Sequence, residues 1–246
     1  MKAINAGSTG AITLNVTNGA LSGTSSDLVL AFAGTVTEHT GTVAITNADY
    51  TVDQLKTINN ASTGAITFST AGTALSGTSS DLAIALAGTT NHSGTVTITN
   101  ADYTSSELAT INNGTSGSIS LSTAGTALSG TSSSLAASLA GTTNNTGAVT
   151  ITNADYTVAE LVTINAGTTG DITLNTTNTA LSGTSSNLVL AFAGTVTTHT
   201  GAVTITNADY TVAELVSINA ATTLSLIHIS EPTRRRGISY AVFCLK

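Results

Sequence analysis

Short apolar alternations and short amphipathic runs succeed one another along residues 1–223 at a fixed beat. In the stretch 95–99, Val96 and Ile98 point to one side and Thr95, Thr97 and Thr99 to the other, the period-two pattern of a half-buried strand built from β-branched residues. The pattern [ST]-G-x-[IV]-[TSA]-[ILF] occurs eight times, with its first apolar residue at Ile12, Val43, Ile66, Val96, Ile119, Val149, Ile172 and Val203. Between these alternations, Thr51, Thr104, Thr157 and Thr211 are each followed three residues later by Gln54, Glu107, Glu160 and Glu214. That spacing is a capping box, which satisfies free N–H groups at a helix start. Tyr50, Tyr103, Tyr156 and Tyr210 precede the caps and Leu55, Leu108, Leu161 and Leu215 follow four residues after them, so the tyrosines are expected to pack as hydrophobic staples. Thr24, Thr78, Thr131 and Thr184 hold the same offset before Leu28, Leu82, Leu135 and Leu188, and Gly34, Gly88, Gly141 and Gly194 are placed to end those helices.

The tetrapeptide NADY begins at Asn47, Asn100, Asn153 and Asn207, and LSGTSS at Leu21, Leu75, Leu128 and Leu181, which sets a period of roughly 53–54 residues. Because the eight alternations are spaced alternately by about 23 and about 30 residues, the structural unit is about 27 residues, within the range of about 20–29 at which a strand plus a helix closes one coil. The expected fold is therefore α/β: a leucine-rich-repeat-like solenoid, with one short parallel strand and one short helix per ~27-residue coil. Residues 1–223 form a single solenoid of about eight half-repeats. Stacked at ~4.8 Å, the rungs would make a rod or arc about 38 Å long with a parallel sheet on one face. The alternative is an all-β parallel β-helix, which such Thr- and Gly-rich sequence tolerates but which leaves the capping boxes without a purpose.

Composition divides the chain in two. All three Arg, the only Pro and the only Cys lie after Thr223. The runs Leu224–Arg234 (LSLIHISEPTR) and Ile238–Lys246 (ISYAVFCLK) resemble a translated sequencing-library adapter, so residues 224–246 are read as a non-native tail and left out of the fold. Its LSLIHI run is expected to pair as an accidental rung if it pairs at all. At the other end, Ala3–Asn15 aligns with Thr163–Asn175, which sets Met1 where other copies have Leu55, Leu108 or Leu161. Both natural termini are accordingly expected to lie outside this fragment. Without the tail, 2 basic residues face 12 acidic ones, a net charge of about −10, and a phosphate backbone would be repelled. Nucleic acid is not an expected partner. The apolar runs stay well short of the ~18 residues a membrane span needs, so no membrane insertion is expected of this fragment.

Candidate chemistry is sparse. His39, His92 and His199 recur at one position of successive repeats, where the fourth copy has Asn145, and are expected to be exposed loop residues about 10 Å or more apart, too far to share a zinc ion. Asp49, Asp102, Asp155 and Asp209 form a similar column; calcium is conceivable there, but local hydrogen bonding ahead of a helix accounts for them more simply. The glycines sit in no phosphate-cradling motif and are read as turn formers. No catalytic residue, metal site or cofactor is expected, and the chain is not read as an enzyme. One surface stands out: Thr13, Thr67, Thr97, Thr150, Thr173 and Thr204, with Ser120 and an interruption at Ala44, form an outward column beside a second one containing Thr46, Thr99, Thr152 and Thr206. Two such hydroxyl columns are the candidate surface-binding face, and an ice- or crystal-surface-binding solenoid is one alternative function.

The stretch VTITNADYTVAELVTINAGTTGDITL (Val149–Leu174), taken with ALSGTSSNLVLAFAG (Ala180–Gly194), resembles the long, low-charge tandem repeats of very large cell-surface and adhesin-like proteins of aquatic bacteria. The resemblance spans residues 1–223 and rests on repeat style, not on an active-site motif. It implies an extracellular or cell-surface location, a structural or adhesive role as stalk or spacer, and surface glycans, other cells or solid surfaces as partners. A further alternative is a spacer for an enzyme outside the fragment.

Overall fold

The structure, a computed structural model, describes residues 1–34, 37–142, 144–195 and 197–223; the adapter-like tail and its LSLIHI run lie outside the described residues. The capping signals become helices where the sequence sets them. In α3 (Val52–Asn60), α5 (Ser105–Gly114), α7 (Val158–Gly167) and α9 (Val212–Ala221), the N-cap threonine accepts from the third helical N–H while that residue's side chain accepts from the N-cap N–H. In α2 (Ser25–Phe32), α4 (Ser79–Leu86), α6 (Ser132–Leu139) and α8 (Ser185–Phe192), the threonine hydroxyl caps without a reciprocal side chain. A single turn, α1 (Lys2–Ala6), precedes them without a side-chain cap. From α2 onward a helix begins about every 27 residues, the length of one coil, and each packs on the next. The protein is an α/β solenoid of strand–helix coils, and the helices exclude the all-β alternative.

Three groups of strands run between the helices. β2 (Val43–Ile45), β5 (Val96–Ile98), β8 (Val149–Ile151) and β11 (Val203–Ile205) follow the single-capped helices. β3 (Ile66–Phe68), β6 (Ile119–Leu121) and β9 (Ile172–Leu174) follow the capping-box helices. The third group, β1 (Leu21–Gly23), β4 (Leu75–Gly77), β7 (Leu128–Gly130) and β10 (Leu181–Gly183), comes from the LSG that opens LSGTSS. These carry neither alternation nor β-branched residues, and their strand geometry is imposed by pairing, so coils such as the one holding β3 and β4 contain two strands where one is expected.

Pairing is parallel throughout, and it is oblique to the helix stack. Leu75 pairs with Val96, Val96 with Ile119, and Ile119 bridges to Thr142. Each rung advances roughly 22 residues along the chain while each helix advances about 27, so a ladder slides toward the preceding helix from coil to coil. After three strands it ends in a bridge and the next LSG starts another ladder, giving sheets β1-β2-β3, β4-β5-β6, β7-β8-β9 and β10-β11. The expected single sheet on one face is thereby corrected. Its physical origin is a mismatch of spacings: paired strands sit ~4.8 Å apart and packed helices ~8–10 Å apart. A tilted ladder lets one stack accommodate both.

The interior is a continuous column of Val and Ile from the strands and Leu and Ile from the helices, including Val96, Ile98, Leu108 and Ile111, all fully buried. Tyr50, Tyr103 and Tyr156 are buried with them, whereas Tyr210, in the last described coil, is 38% exposed. The three buried hydroxyls donate to the carbonyls of Thr70, Thr123 and Thr176, so each tyrosine fastens its coil to a later turn of chain besides packing against it.

Candidate functional site

Five of the six threonines of the expected binding face are spread over four sheets, Thr150 and Thr173 sharing one, and Thr13 lies outside the named strands. Thr67 stands beside Ala44, Thr97 between Ser76 and Ser120, Thr150 between Ser129 and Thr173, and Thr204 beside Ser182. Thr13 is exposed next to the Ile12 bridge, Thr204 is exposed, and the other four are half-buried. Of the six, only Thr150 and Thr173 are lateral neighbours in a ladder. From the second sheet on, the face is thus a set of diagonal hydroxyl rows, two or three residues long, because the ladders restart with every repeat; in the first sheet Ala44 separates Ser22 from Thr67.

The most regular polar constellation is one that the sequence motifs contain but do not announce. The Asn of each NADY reaches back to the preceding helix start. Asn153 accepts from the Ser132 N–H at 2.7 Å and donates to Ser132 Oγ at 3.0 Å and to Asp155 at 2.6 Å. Ser132 Oγ, buried, donates to Glu160 at 3.0 Å, and Glu160 also receives the Thr157 N–H at 2.8 Å. The set recurs as Asn47, Ser25, Gln54 and as Asn100, Ser79, Glu107. Asn207 makes the same bonds to Ser185. This network joins two helix starts and one strand end, and it is an inter-coil fastening. It also accounts for the aspartate column: the Asn side chain, then the Asp backbone N–H, hold the carboxyls of Asp49, Asp102 and Asp209 below their ordinary range. Their hydrogen bonds are local, as expected, but run chiefly through the asparagine side chain. Among the described residues no three His, Cys, Asp or Glu converge as metal ligands.

A second fastening lies at the helix ends. Asn59, Asn112 and Asn165 donate to the carbonyls of Ile84, Ala137 and Leu190 in the next helix, at 2.7, 3.0 and 2.9 Å. A Cβ on Gly88, Gly141 or Gly194 would fall 2.1–2.5 Å from the oxygens of these same asparagines. A side chain at these glycines would have to displace the asparagine from its bond. Ahead of the strands the glycines are required for room rather than as turn formers alone, because a Cβ on Gly64, Gly117 or Gly170 would fall 1.7, 1.9 or 2.1 Å from the carbonyl oxygen of the glycine stacked beneath it.

The histidines depart most from expectation. His39, His92 and His199 are buried, at 2%, 1% and 0% exposure. Each bridges to the next coil, at Ser62, Thr115 and Thr222, and each faces aromatic rings: Phe32 for His39, Tyr50 and Phe68 for His92, Tyr156 and Phe192 for His199. The position points inward because the strand-like bridge fixes its side chain toward the core, a register the sequence does not show outside the alternating runs. His92 Nε2 lies 3.0 Å from the Thr73 carbonyl and Nδ1 2.8 Å from Thr115 Oγ1. His199 Nδ1 meets the Tyr156 hydroxyl at 3.2 Å, while the Nε2 atoms of His39 and His199 have no hydrogen-bond partner among the described residues.

The hollows between coils are shallow. One lies over Asn145, Gly167 and Thr168, another over Asp53, Asp81 and Thr99. No described helix is long and apolar enough to cross a membrane. Comparison with protein-family models, with curated proteins and with solved structures finds no match.

Proposed function

We propose that residues 1–223 are a stalk or spacer segment of a large secreted or cell-surface protein, holding other parts of that protein at a distance. The observation that supports this reading is the repetition of one fastening. The Asn–Ser–Glu network and the Asn-to-helix-end bond alternate from coil to coil, each recurring once per two-coil repeat with nearly constant lengths, so each added repeat extends the stack by the same pair of interfaces. Such quasi-one-dimensional construction suits a part whose length is set by its copy number. Adhesion to glycans, cells or solid surfaces through the hydroxyl rows belongs to the same reading as a secondary role.

A direct test fuses a binding head of known ligand to one, two and four copies of the array on a cell surface. The ligand is immobilised beneath polymer brushes of graded thickness. A spacer carries the head through thicker brushes as copies are added. Capture that does not change with copy number would overturn the proposal. The array without a head, tested on glycan-coated and mineral beads, measures any adhesion of its own.

A further inference from the structure

We propose that the solenoid contains acid-sensitive joints: neutral His92 and His199 hold their coils closed, and protonation opens those coils while the equivalent coil built on Asn145 stays shut. The inference goes beyond the spacer reading and does not depend on it.

Geometry carries the first step. His92 fits its site as the Nε2–H tautomer, donating to the Thr73 carbonyl and accepting from the Thr115 hydroxyl. A second proton turns the acceptor Nδ1 into a donor and places a full charge in an enclosed site. At His199, Nδ1 is committed to the Tyr156 hydroxyl, so the second proton falls on the enclosed Nε2 and again places a full charge in a buried site. The groups facing these rings are the Tyr50 phenol and Phe68 at His92, and the Tyr156 phenol and Phe192 at His199. None is a carboxylate able to compensate the charge. His39 occupies the same position against Phe32, and Glu38 beside it in sequence is exposed.

The fourth copy supplies a natural control. Asn145 accepts from Thr168 Oγ1 at 2.8 Å and from the Gly147 N–H at 3.1 Å, and its amide nitrogen lies 3.5 Å from the Tyr103 hydroxyl. It fills the bridging role with a side chain that does not titrate.

The sign follows from linkage. Burial lowers the affinity of both imidazoles for a proton below the ordinary value of 6.5, only partly opposed by the backbone of Thr73 at His92 and of Thr179 at His199. The opened coil therefore binds protons more readily than the closed one, so the histidine contribution is intact above about pH 6.5 and is lost as pH falls below it. One such proton raises the local opening equilibrium up to about tenfold per pH unit.

Amide hydrogen exchange of the full chain, read by mass spectrometry between about pH 7.5 and 5 and corrected for intrinsic exchange rates, tests this. Peptides covering His92 and His199 are expected to lose protection steeply below pH 6.5 while the Asn145 peptide does not. His92→Asn should flatten its own coil, and Asn145→His should introduce the acid response where none existed. If His92→Asn proves unstable at neutral pH, the Asn145→His chain decides. Equal protection of all three coils across the range, or a folded Asn145→His chain with no new acid response, overturns the proposal.

Discussion

At the scale of single residues, room decides more than conformational preference. Gly64 sits where an added Cβ would lie 1.7 Å from the Gly41 carbonyl oxygen, whereas the same atom on Gly72 meets nothing within 4 Å. Backbone cannot yield as a flexible side chain does, so Gly64→Ala is expected to destabilise the array by about 2–3 kcal/mol and Gly72→Ala to fall within about 0.5 kcal/mol of the parent. Urea unfolding of the two variants checks the contrast; equal midpoints would refute the close-packing account. Legibility divides along the same line. Thr104 and Glu107 declare a helix start because a capping box is local, and Val96 and Ile98 declare a strand because alternation is local. The inward orientation of His92, the crowding at Gly64 and the reach of Asn153 depend on which coil lies next door. Only the recurrence of these residues from copy to copy hinted at them.

Between elements, the fastening from Asn153 to Ser132 is the joint most open to dissection. Asn153→Ala removes the acceptor for the Ser132 N–H and a partner for its buried hydroxyl at a helix start, a loss of about 1–3 kcal/mol. Asn207→Ala, in the last described coil, makes the same deletion where the strand and the following helix are more exposed, and the expected loss is smaller. Thermal melts of both variants measure the difference. These joints also carry an acid response distinct from the histidines. Asp49, Asp102 and Asp209 are lowered chiefly by their Asn partners, and Glu214 chiefly by the Thr211 backbone N–H, so the folded chain gives up these charges less readily than the unfolded one. Their contribution is present above the ordinary carboxylate range, near pH 4, and is lost as pH falls through that range toward the lowered folded values. Replacing His92 and His199 together by Asn should erase the loss below about pH 6.5 in a pH–stability profile and leave this lower one in place. The strands Leu75–Gly77 and Leu128–Gly130 were not legible from their residues, since Leu-Ser-Gly has neither β-branching nor alternation; neighbouring strands impose their extended form.

For the whole molecule, the two spacings make opposing claims on length. If strand pairing set the rise, eight coils would span about 38 Å. Helices that pack side by side at ~8–10 Å instead give the eight steps from α1 to α9 a span of roughly 65–80 Å. The ladders decide between these values, because they do not run straight up the stack. Each slides along the coil and is replaced after three strands, which is what a ladder of ~4.8 Å rungs must do when the helices beside it climb faster. In a vertical ladder the same mismatch would be taken up by bending, with the helices on the convex side. Here the drift absorbs it, and the array is expected to be straighter than an arc of stacked vertical strands. Small-angle scattering on chains of two, four and eight NADY-containing repeats separates the cases: the maximum dimension should grow linearly, by roughly 16–20 Å per repeat of two coils. Growth of only ~10 Å per repeat, which is two rungs at the strand spacing, would show that strand pairing sets the rise. So would a dimension that levels off as the chain curls. Unfolding midpoints should climb with copy number over the same series, since every interior coil gains two neighbours and the end coils only one.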